Sequence, residues 1–340
     1  MDSNLLIKGD NIDGLQWLLD NGFKGKIDLV YIDPPFATGG SFGIDPSGRV
    51  STISRAEDAA VAYSDQLQGE EYIEYLRRRV ALIYELLSDR GSFYLHIDYK
   101  IGHYVKVMLD GIFGMKYFRN DITRVKCNPK NFDRNGYGNI KDMILYYVKS
   151  DSAIWNNPVF GVEEADLKKR YPKTDASGRR YTTVPIHAPG ETKGNTSLPF
   201  RGLLPPKGRH WRCSVEELEE LDRKGLIEWS STGNPRKINY ADEHTSTKAQ
   251  DIWTFKDPVY PTYPTEKNQD MLRFIVGASS NPDSIVMDCF CGSGSLLRAA
   301  GALGRKWIGM DKSDLAIKIT KDNLSAESGM PSLGTDFMEF

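Results

Sequence analysis

Three short apolar runs, each of strand length, constrain the fold of this 340-residue chain more than any other feature. They are IDLVYI at 27–32, SIVMDCF at 284–290 and KWIGMD at 306–311. Runs that are mostly apolar, without alternation of apolar and polar residues, suit strands buried on both faces, as in a parallel sheet. Helical patterns lie between such runs at both ends of the chain. The alternation predicts an α/β domain built on a mostly parallel sheet.

The middle of the chain has a different composition. From about residue 151 to 257, Pro, Gly, Thr and basic residues become more frequent and long apolar runs disappear. One helix is expected there, SVEELEELDRKG at 214–225, because its first residues form a capping box. We therefore predict a sheet domain divided by an insertion, with these parts: residues 1–150 and 258–324 for the sheet domain, 151–257 for the insertion and 325–340 for a tail.

One motif joins a strand to a glycine turn. In VMDCFCGSGSLLRAAGALGRKWIGMD, a strand leads into Gly292-Ser293-Gly294, a helix follows, and Asp311 ends the next strand. Glycines let the backbone approach a ligand closely, and a carboxylate at a strand end can accept hydrogen bonds from ribose hydroxyls. A dinucleotide fingerprint would require Gly or Ala where Leu297 stands, and no Gly-Lys-Ser/Thr P-loop is present. The motif favours a ribose-bearing cofactor without a pyrophosphate, and a turn without a ligand is the alternative.

A second motif, Asp33-Pro34-Pro35-Phe36, ends the strand at 27–32 abruptly. Asp and Pro are ordinary turn residues, so a simple turn is one interpretation. The functional interpretation starts from the exocyclic amine of a nucleobase, which is a poor nucleophile because its lone pair is delocalised into the ring. The Asp33 carboxylate and the Pro34 carbonyl could each accept one N–H of that amine and stabilise its growing positive charge. Phe36 could stack on the base, which base flipping would deliver. Residues 37–66, which follow, are expected to form a long loop.

These motifs resemble those of a known enzyme family. Asp33-Pro34-Pro35-Phe36 resembles the Asp/Asn-Pro-Pro-Tyr/Phe motif of DNA amino-methyltransferases, and the segment 288–294 resembles their S-adenosylmethionine motif, Asp-Pro-Phe-x-Gly-Ser-Gly. A catalytic motif that precedes the cofactor motif is the beta-class arrangement. IKGDN at 7–11 and TEKNQDMLRFI at 265–275 are similar to the modification subunits of type III restriction systems and their solitary relatives. The resemblance implies a Rossmann-like methyltransferase fold, with a mixed, mostly parallel seven-stranded sheet and an inserted target-recognition region.

The resemblance also implies roles for individual residues. The catalytic residues would be Asp33, Pro34, Pro35 and Phe36. The residues that bind S-adenosylmethionine would be Asp10, Thr265, Glu266, Lys267, Asp288, Phe290, Gly292, Ser293, Gly294 and Asp311. Within this set Asp311 would bind the ribose, Asp10 would lie near the adenine, and 265–267 would close over the methionine end. The chain departs from the usual pattern at Cys289 and Asn268, where prolines are usual, and at Ser295, where threonine is usual.

The implied reaction is direct methyl transfer to the N6 amine of a flipped adenine in double-stranded DNA, with no metal site. Asp rather than Ser before Pro-Pro favours adenine N6 over cytosine N4 by the habit of the family. Cytosine N4, an RNA base and a catalytically silent recognition subunit that needs a partner stay as alternatives. Methylation at cytosine C5 is disfavoured because it needs a cysteine nucleophile in a Pro-Cys loop, which the chain lacks.

Local charge, rather than the formal net charge of −2, bears on DNA binding. Residues 165–212 contain eleven Lys/Arg against three Asp/Glu, and residues 119–141 contain six against two. Such clusters are expected to bind phosphates, although a solvated surface is the ordinary alternative for any single charge. The candidate DNA contacts are Lys193, Asn195, Arg201, Arg236 and Lys237.

The sequence lacks the patterns of a membrane span, a signal peptide and a CxxC metal or redox site. No apolar run approaches the roughly 18 residues of a membrane span, and the first residues lack the pattern of a signal peptide. The four cysteines show no CxxC spacing and are expected to be reduced. We expect a cytoplasmic protein without a membrane partner. Besides DNA, the resemblance makes a second copy of the chain, in a homodimer, and a restriction subunit candidate partners.

Overall fold

Two compact units make up the fold. A computed structural model describes residues 3–35, 41–44, 50–52, 60–64, 69–129, 131, 133, 135–258, 261, 263, 266–326 and 334–340. The sheet unit comprises Met1–Pro158 and Gln250–Phe340, and the inserted unit comprises Val159–Ala249.

The described residues form eight α-helices: α1 (Asn11–Asp20), α2 (Gly69–Leu86), α3 (Tyr99–Phe113), α4 (Glu164–Arg170), α5 (Val215–Arg223), α6 (Gln269–Ser279), α7 (Ser295–Ala302) and α8 (Asp314–Ala326). They also form twenty strands: β1 (Asn4–Lys8), β2 (Ile27–Ile32), β3 (Ser41–Ile44), β4 (Val50–Thr52), β5 (Ala60–Ser64), β6 (Leu87–Ile97), β7 (Phe118–Val125), β8 (Lys141–Val148), β9 (Val159–Gly161), β10 (Lys173–Thr174), β11 (Arg180–Pro185), β12 (His187–Pro189), β13 (Arg209–Trp211), β14 (Ile227–Trp229), β15 (Pro235–Tyr240), β16 (Ser246–Lys248), β17 (Ile252–Trp253), β18 (Ile285–Asp288), β19 (Lys306–Asp311) and β20 (Thr335–Glu339). Within these described ranges, no helix has the length and apolar character needed to cross a membrane.

The main sheet has nine strands among the described residues, in the order β17-β7-β8-β6-β2-β18-β19-β1-β20. Every neighbouring pair is parallel except the two that β8 makes, with β6 and β7. The predicted mostly parallel α/β sheet is confirmed. The expected number of seven strands is wrong, because two further strands, β17 and β20, pair at the two edges of the sheet. Neither carries an apolar run, because an edge strand is held mainly by backbone hydrogen bonds to one neighbour.

Helices cover both faces of the sheet, and the alternation along β1 illustrates how. Leu5 and Ile7 belong to a core that also contains buried apolar residues of α1, α2 and α3. Leu6 points the other way, since successive side chains of a strand alternate between faces. There a Cβ on Gly309 of β19 would meet Leu297 of α7 and Leu6. The strands are thus buried on both faces, as their uninterrupted apolar runs predicted.

The expected loop at 37–66 is wrong where the structure describes it. Strands β3, β4 and β5 form a three-stranded antiparallel sheet, in the order β4-β3-β5. The remainder of 37–66 lies outside the described residues. These strands are only three to five residues long and pair with each other rather than with the main sheet. Segments this short do not produce a long alternation of apolar and polar residues from which strands could be predicted.

The inserted unit has a small core of its own. A four-stranded antiparallel sheet runs in the order β10-β11-β15-β14, and β12 pairs with β13 as a separate two-stranded sheet. Helix α5 begins with the expected capping box between Ser214 and Glu217. Its Leu218 packs in a buried cluster with Ile186, Phe200 and Trp211.

Candidate functional site

Four acidic residues meet at one edge of the main sheet. Strands β2, β18, β19 and β1 are consecutive neighbours and all parallel, so their carboxyl ends lie at the same edge. Asp33 follows β2, Asp288 ends β18, Asp311 ends β19 and Asp10 lies just beyond β1. Ligands of open α/β sheets bind at this carboxyl edge. The topology therefore brings together two motifs that are far apart in the sequence.

The glycine turn after β18 is compact and accepts no side chain at one position. Gly294 has φ +75°, and a Cβ there would lie 2.8 Å from Cγ2 of Thr320. Gly292 has φ +52°, and its Cβ would lie 3.3 Å from the ring of Tyr263. Only glycine fits at position 294, because any other residue would combine a positive φ with a clash against Thr320. The turn leads directly into α7, whose N-terminal residue is Ser295.

Two elements fix the backbone of this turn. The Asp311 carboxylate accepts a hydrogen bond from Gly292 N at 3.0 Å, and Cys291 N donates to the Met310 carbonyl at 2.9 Å. From α8, the Thr320 hydroxyl donates to the Gly292 carbonyl at 2.9 Å and the Asn323 amide donates to the Ser293 carbonyl at 3.0 Å. Helix α8 was absent from the sequence predictions, although Ser313 next to an acidic first turn is a usual start signal.

Burial changes the acidity of the groups around the turn. It raises the pKa of Asp288 well above the usual range, and Oδ1 of this residue accepts a hydrogen bond from Phe290 N at 2.9 Å. Burial also raises the pKa of Asp311. Both carboxyl groups thus hold backbone N–H groups in a low-dielectric environment. The thiols of Cys289 and Cys291 likewise have pKa values raised by burial, so neither is an activated nucleophile.

Asp10 stands at the start of α1 beside a residue that sequence analysis missed. Its carboxylate caps the helix through Ile12 N at 2.9 Å and accepts a hydrogen bond from Arg79 at 3.0 Å. The Arg79 side chain is buried, and its guanidinium lies 3.5 Å from the centroid of the Tyr75 ring. Arg79 falls on the apolar side of α2, three residues after buried Leu76, and a charge in that position was the available signal.

The Asp-Pro-Pro segment leaves the sheet next to Lys267. Oδ2 of Asp33 forms an ion pair with Nζ of Lys267, and both side chains are largely buried. Pro34 is buried and Pro35 is half-buried. Beside Lys267, the Glu266 carboxylate lies 3.7 Å from Arg298 of α7. Phe36 and Thr265, the other predicted site residues here, lie outside the described residues.

Comparisons with known proteins identify the family to which the chain belongs. The sequence pattern of the N6/N4 DNA methylase family matches residues 27–322. The type II methyltransferase M.EcaI of Enterobacter cloacae is 44% identical over 321 residues, which cover 93% of this chain and 68% of that enzyme. The chain belongs to the N6/N4 DNA methylase family. The match includes the Asp-Pro-Pro segment and the glycine turn.

More distant relatives add context for this methylase. The StyLTI Mod subunit of a type III restriction-modification enzyme from Salmonella typhimurium is 24% identical over 89% of this chain, and the match covers 50% of that subunit. The chain thus spans about half the length of this Mod subunit. The protein TTHA0409 of Thermus thermophilus, solved with S-adenosyl-L-methionine, shares the fold with a TM-score of 0.51 at 14% identity, covering 99% of this chain and 98% of that one.

A buried polar network of the methylase lies beside Asp33 and was also missed from the sequence. Ile32 pairs with Leu95 of β6, so Asp33 continues the strand next to His96. The Tyr31 hydroxyl lies 2.8 Å from Nδ1 of His96, and Nε2 of His96 lies 3.1 Å from Asp142. Burial lowers the pKa of His96 and raises the pKa of Tyr31. A lowered pKa favours the neutral imidazole, which in this geometry would accept from Tyr31 at Nδ1 and donate to Asp142 from Nε2.

The same network corrects one expectation about phosphate binding. Arg124, in the basic stretch 119–141, is fully buried and donates to Asp257 at 2.6 Å and to the Phe255 carbonyl at 2.7 Å. Lys126 donates to Asp142 at 2.6 Å. The expectation that this stretch binds phosphates is wrong for Arg124, because its charge neutralises carboxylates inside the sheet unit.

The predicted DNA contacts of the methylase all lie in the inserted unit, but in different settings. Lys193, Asn195 and Lys237 are exposed. Arg201 is paired with Asp222, to which its Nε donates at 2.8 Å. Arg236 donates to the Thr183 hydroxyl at 2.9 Å and to the Thr183 carbonyl at 2.7 Å. The guanidinium groups of both arginines therefore already have partners within the unit.

Proposed function

We propose that this methylase transfers a methyl group from S-adenosylmethionine to the N6 amine of an adenine flipped out of double-stranded DNA. The observation that carries the proposal is the position of Asp33 at the carboxyl edge of the sheet, beside the strand that leads into the glycine turn. Asp33, which would accept the N–H of the amine, and the glycine turn, which would hold the cofactor, follow neighbouring strands. This arrangement suits the transfer of a methyl group from a bound cofactor to a bound base. The alternative, cytosine N4, would use the same residues on a different amine.

The residues of the turn fit an S-adenosylmethionine-type cofactor. Gln269 of α6 donates to the Ser295 carbonyl at 3.1 Å, while its buried Oε1 accepts no hydrogen bond within the described residues. A buried acceptor without a donor is costly unless a ligand supplies one. Asp311 would bind the ribose and Asp10 would lie near the adenine. Phe290, Gly292 and Gly294 would shape the cofactor loop, with Asp288 at its base. S-adenosylmethionine supplies an electrophilic methyl group on a sulfonium sulfur when bound.

Asp33, Pro34, Pro35 and Phe36 act on the amine in this proposal. The Asp33 carboxylate and the Pro34 carbonyl accept its two N–H groups, and Phe36 stacks on the base. Carboxylate charge next to the nitrogen stabilises the positive charge that develops there during attack. Asp rather than Ser before Pro-Pro supports adenine as the target, by resemblance to the family. No residue of the chain forms a covalent intermediate in this mechanism.

DNA is the proposed macromolecular partner, and the cytoplasm is the proposed compartment. The similarity to Mod subunits supports a restriction subunit as a further partner, and a homodimer is proposed by resemblance to the beta class. Gel filtration with and without DNA separates monomer from dimer.

Incubation of the purified protein with unmethylated genomic DNA and S-adenosylmethionine tests the reaction. Nucleoside mass spectrometry is expected to detect N6-methyladenine, and methylation-aware sequencing is expected to find it in one short motif. Detection of N4-methylcytosine would keep the amine chemistry and replace the proposed base. Absence of any methylated base from DNA that the protein binds would contradict the proposed activity.

Exposed cations of the segment 187–212 are proposed to bind DNA phosphates. Lys193, Lys207 and Arg212 are exposed and, within the described residues, form no ion pair with a carboxylate. The only partner of the Arg212 guanidinium there is the His187 carbonyl, to which its Nε donates at 3.3 Å. The double variant Lys207→Ala/Arg212→Ala is expected to weaken DNA binding about tenfold and to lower the slope of log affinity against log salt by about 2. Fluorescence anisotropy over a range of salt concentrations measures both quantities.

A matched control removes two charges that the fold already uses. Lys173 pairs with Glu228 and Arg201 pairs with Asp222. The double variant Lys173→Ala/Arg201→Ala therefore removes the same number of cations from the same unit, with a much smaller expected change in the salt slope. Equal slopes for the two double variants would contradict the assignment of Lys207 and Arg212 to phosphates.

A further inference from the structure

The two carboxylate oxygens of Asp33 have different environments. Oδ2 is in an ion pair with Nζ of Lys267. Oδ1 is buried, and within the described residues it accepts no hydrogen bond. A buried carboxylate oxygen without a donor carries a desolvation cost that the fold does not offset. Such an atom is expected where a ligand provides the missing donor.

Lys267 is held in place from both sides along the chain. On its C-terminal side, Asn268 caps α6 by accepting from Met271 N at 3.0 Å, and its side-chain amide donates to the Lys256 carbonyl at 2.9 Å. On its N-terminal side, Glu266 N donates to the Tyr263 carbonyl at 3.1 Å. The lysine itself is only 8% exposed. The backbone of Lys267 is therefore fixed and its side chain is buried, so its ammonium group has a defined position beside Asp33.

We propose that Lys267 is a positioning residue for the target amine. Its ammonium group holds Oδ2 of Asp33, which orients the carboxylate so that Oδ1 is presented to one N–H of the flipped base. The inference rests on the proposed function and deepens it by giving each oxygen a separate partner. It also gives Lys267 a role beyond the expected contact with the methionine end of the cofactor. The two roles predict different kinetic changes, so experiment separates them.

The test compares Lys267→Met and Lys267→Arg with the wild-type protein. Methionine keeps much of the apolar stem without the charge, and arginine keeps the charge. Lys267→Met is expected to lower kcat about a hundredfold, because a small displacement of a reacting group has effects of that size. Its Kd for S-adenosylmethionine, measured by calorimetry, is expected to stay within about twofold of wild type, and Lys267→Arg is expected to recover about tenfold of the lost rate.

A binding measurement without cofactor provides a second readout. Duplexes that carry adenine or purine, which lacks the amine, at the target position are compared for each protein. Wild type is expected to bind the adenine duplex more tightly than the purine duplex. In Lys267→Met this preference, the ratio of the two affinities, is expected to become smaller, because a displaced Oδ1 no longer accepts a hydrogen bond from the amine. Lys318→Met, the same substitution at an exposed site on α8, is expected to leave kcat and the ratio unchanged.

The outcomes are distinguishable from failure of the proposed function. A wild-type protein that methylates no DNA would overturn the proposed function and this inference with it. An active wild type with an equally active Lys267→Met variant would overturn the role of Lys267 alone. A variant with unchanged kcat and a raised Kd for S-adenosylmethionine would assign Lys267 to the cofactor instead. If Lys267→Met does not fold, an unchanged kcat and an unchanged affinity ratio in folded Lys267→Gln, which also lacks the charge, would overturn it.

Discussion

Replacement of Asp33 by alanine is expected to lower the methylation rate about a thousandfold, the upper range for loss of one preorganised group that stabilises transition-state charge. The variant removes both the acceptor of the amine N–H and the negative charge beside the nitrogen. Single-turnover transfer of labelled methyl groups to DNA measures the chemical step. Calorimetric titration with S-adenosylmethionine is expected to give a Kd close to that of wild type, because Asp33 acts on the amine.

Two further variants make the result specific to the amine. Asp33→Asn keeps the shape and one oxygen acceptor but loses the charge, so its rate is expected between those of wild type and Asp33→Ala. Asp270→Ala removes an exposed carboxylate in the first turn of α6 and is expected to leave the rate unchanged. Wild-type activity in Asp33→Ala would mean that the Asp-Pro-Pro segment is only a turn that ends a strand.

Gly294→Ala is expected to abolish tight cofactor binding, with an increase in Kd of more than about tenfold. An alanine at φ +75° carries strain of about 1–2 kcal/mol. Its Cβ would in addition lie 2.8 Å from Cγ2 of Thr320, which is fully buried and cannot swing into solvent. The turn must therefore move, and the Thr320 bond to the Gly292 carbonyl moves with it. Calorimetric titration with S-adenosylmethionine and a thermal melt of the protein alone measure the two effects.

Gly304 offers a matched control for backbone strain. It has nearly the same φ, +72°, but a Cβ there would meet no atom within 4 Å. Gly304→Ala is expected to lower the melting temperature modestly and to leave the Kd for S-adenosylmethionine unchanged. In the Gly294→Ala background, Thr320→Ser removes the clashing methyl group and keeps the hydroxyl, so it should restore part of the affinity. Similar losses of affinity in both glycine variants would show that crowding by Thr320 is not the cause.

The strands that carry the site were predictable because burial on both faces leaves a continuous apolar run. IDLVYI and KWIGMD were assigned to the residues that form β2 and β19. Their order in the sheet is set by pairing between distant segments, which periodicity alone does not encode. The parallel pairing of β2 with β18 is the physical reason that the two motifs lie at the same edge of the sheet.

Residues that act by supporting others were not predictable from the same patterns. Arg79, His96 and Asp142 are polar residues within apolar or mixed segments, and each is buried only because a partner far along the chain satisfies it. Thr320 appears unremarkable in sequence, and only the approach of α8 to the glycine turn gives it a role. Arg124 was misjudged for the same reason, since a count of charges does not register a carboxylate that arrives from another strand.

The pairing of β18 between β2 and β19 has a consequence for synthesis of the protein on the ribosome. Strand β1 pairs with β19 and β20, so neither of the first two strands of the chain has its full set of neighbours until the residues after the inserted unit have been translated. Up to that moment β2 has an open edge, and such edges favour association with other chains. Nascent chains of this methylase are therefore expected to depend on chaperones late in translation, and no truncated product that ends before β18 can assemble the cofactor turn.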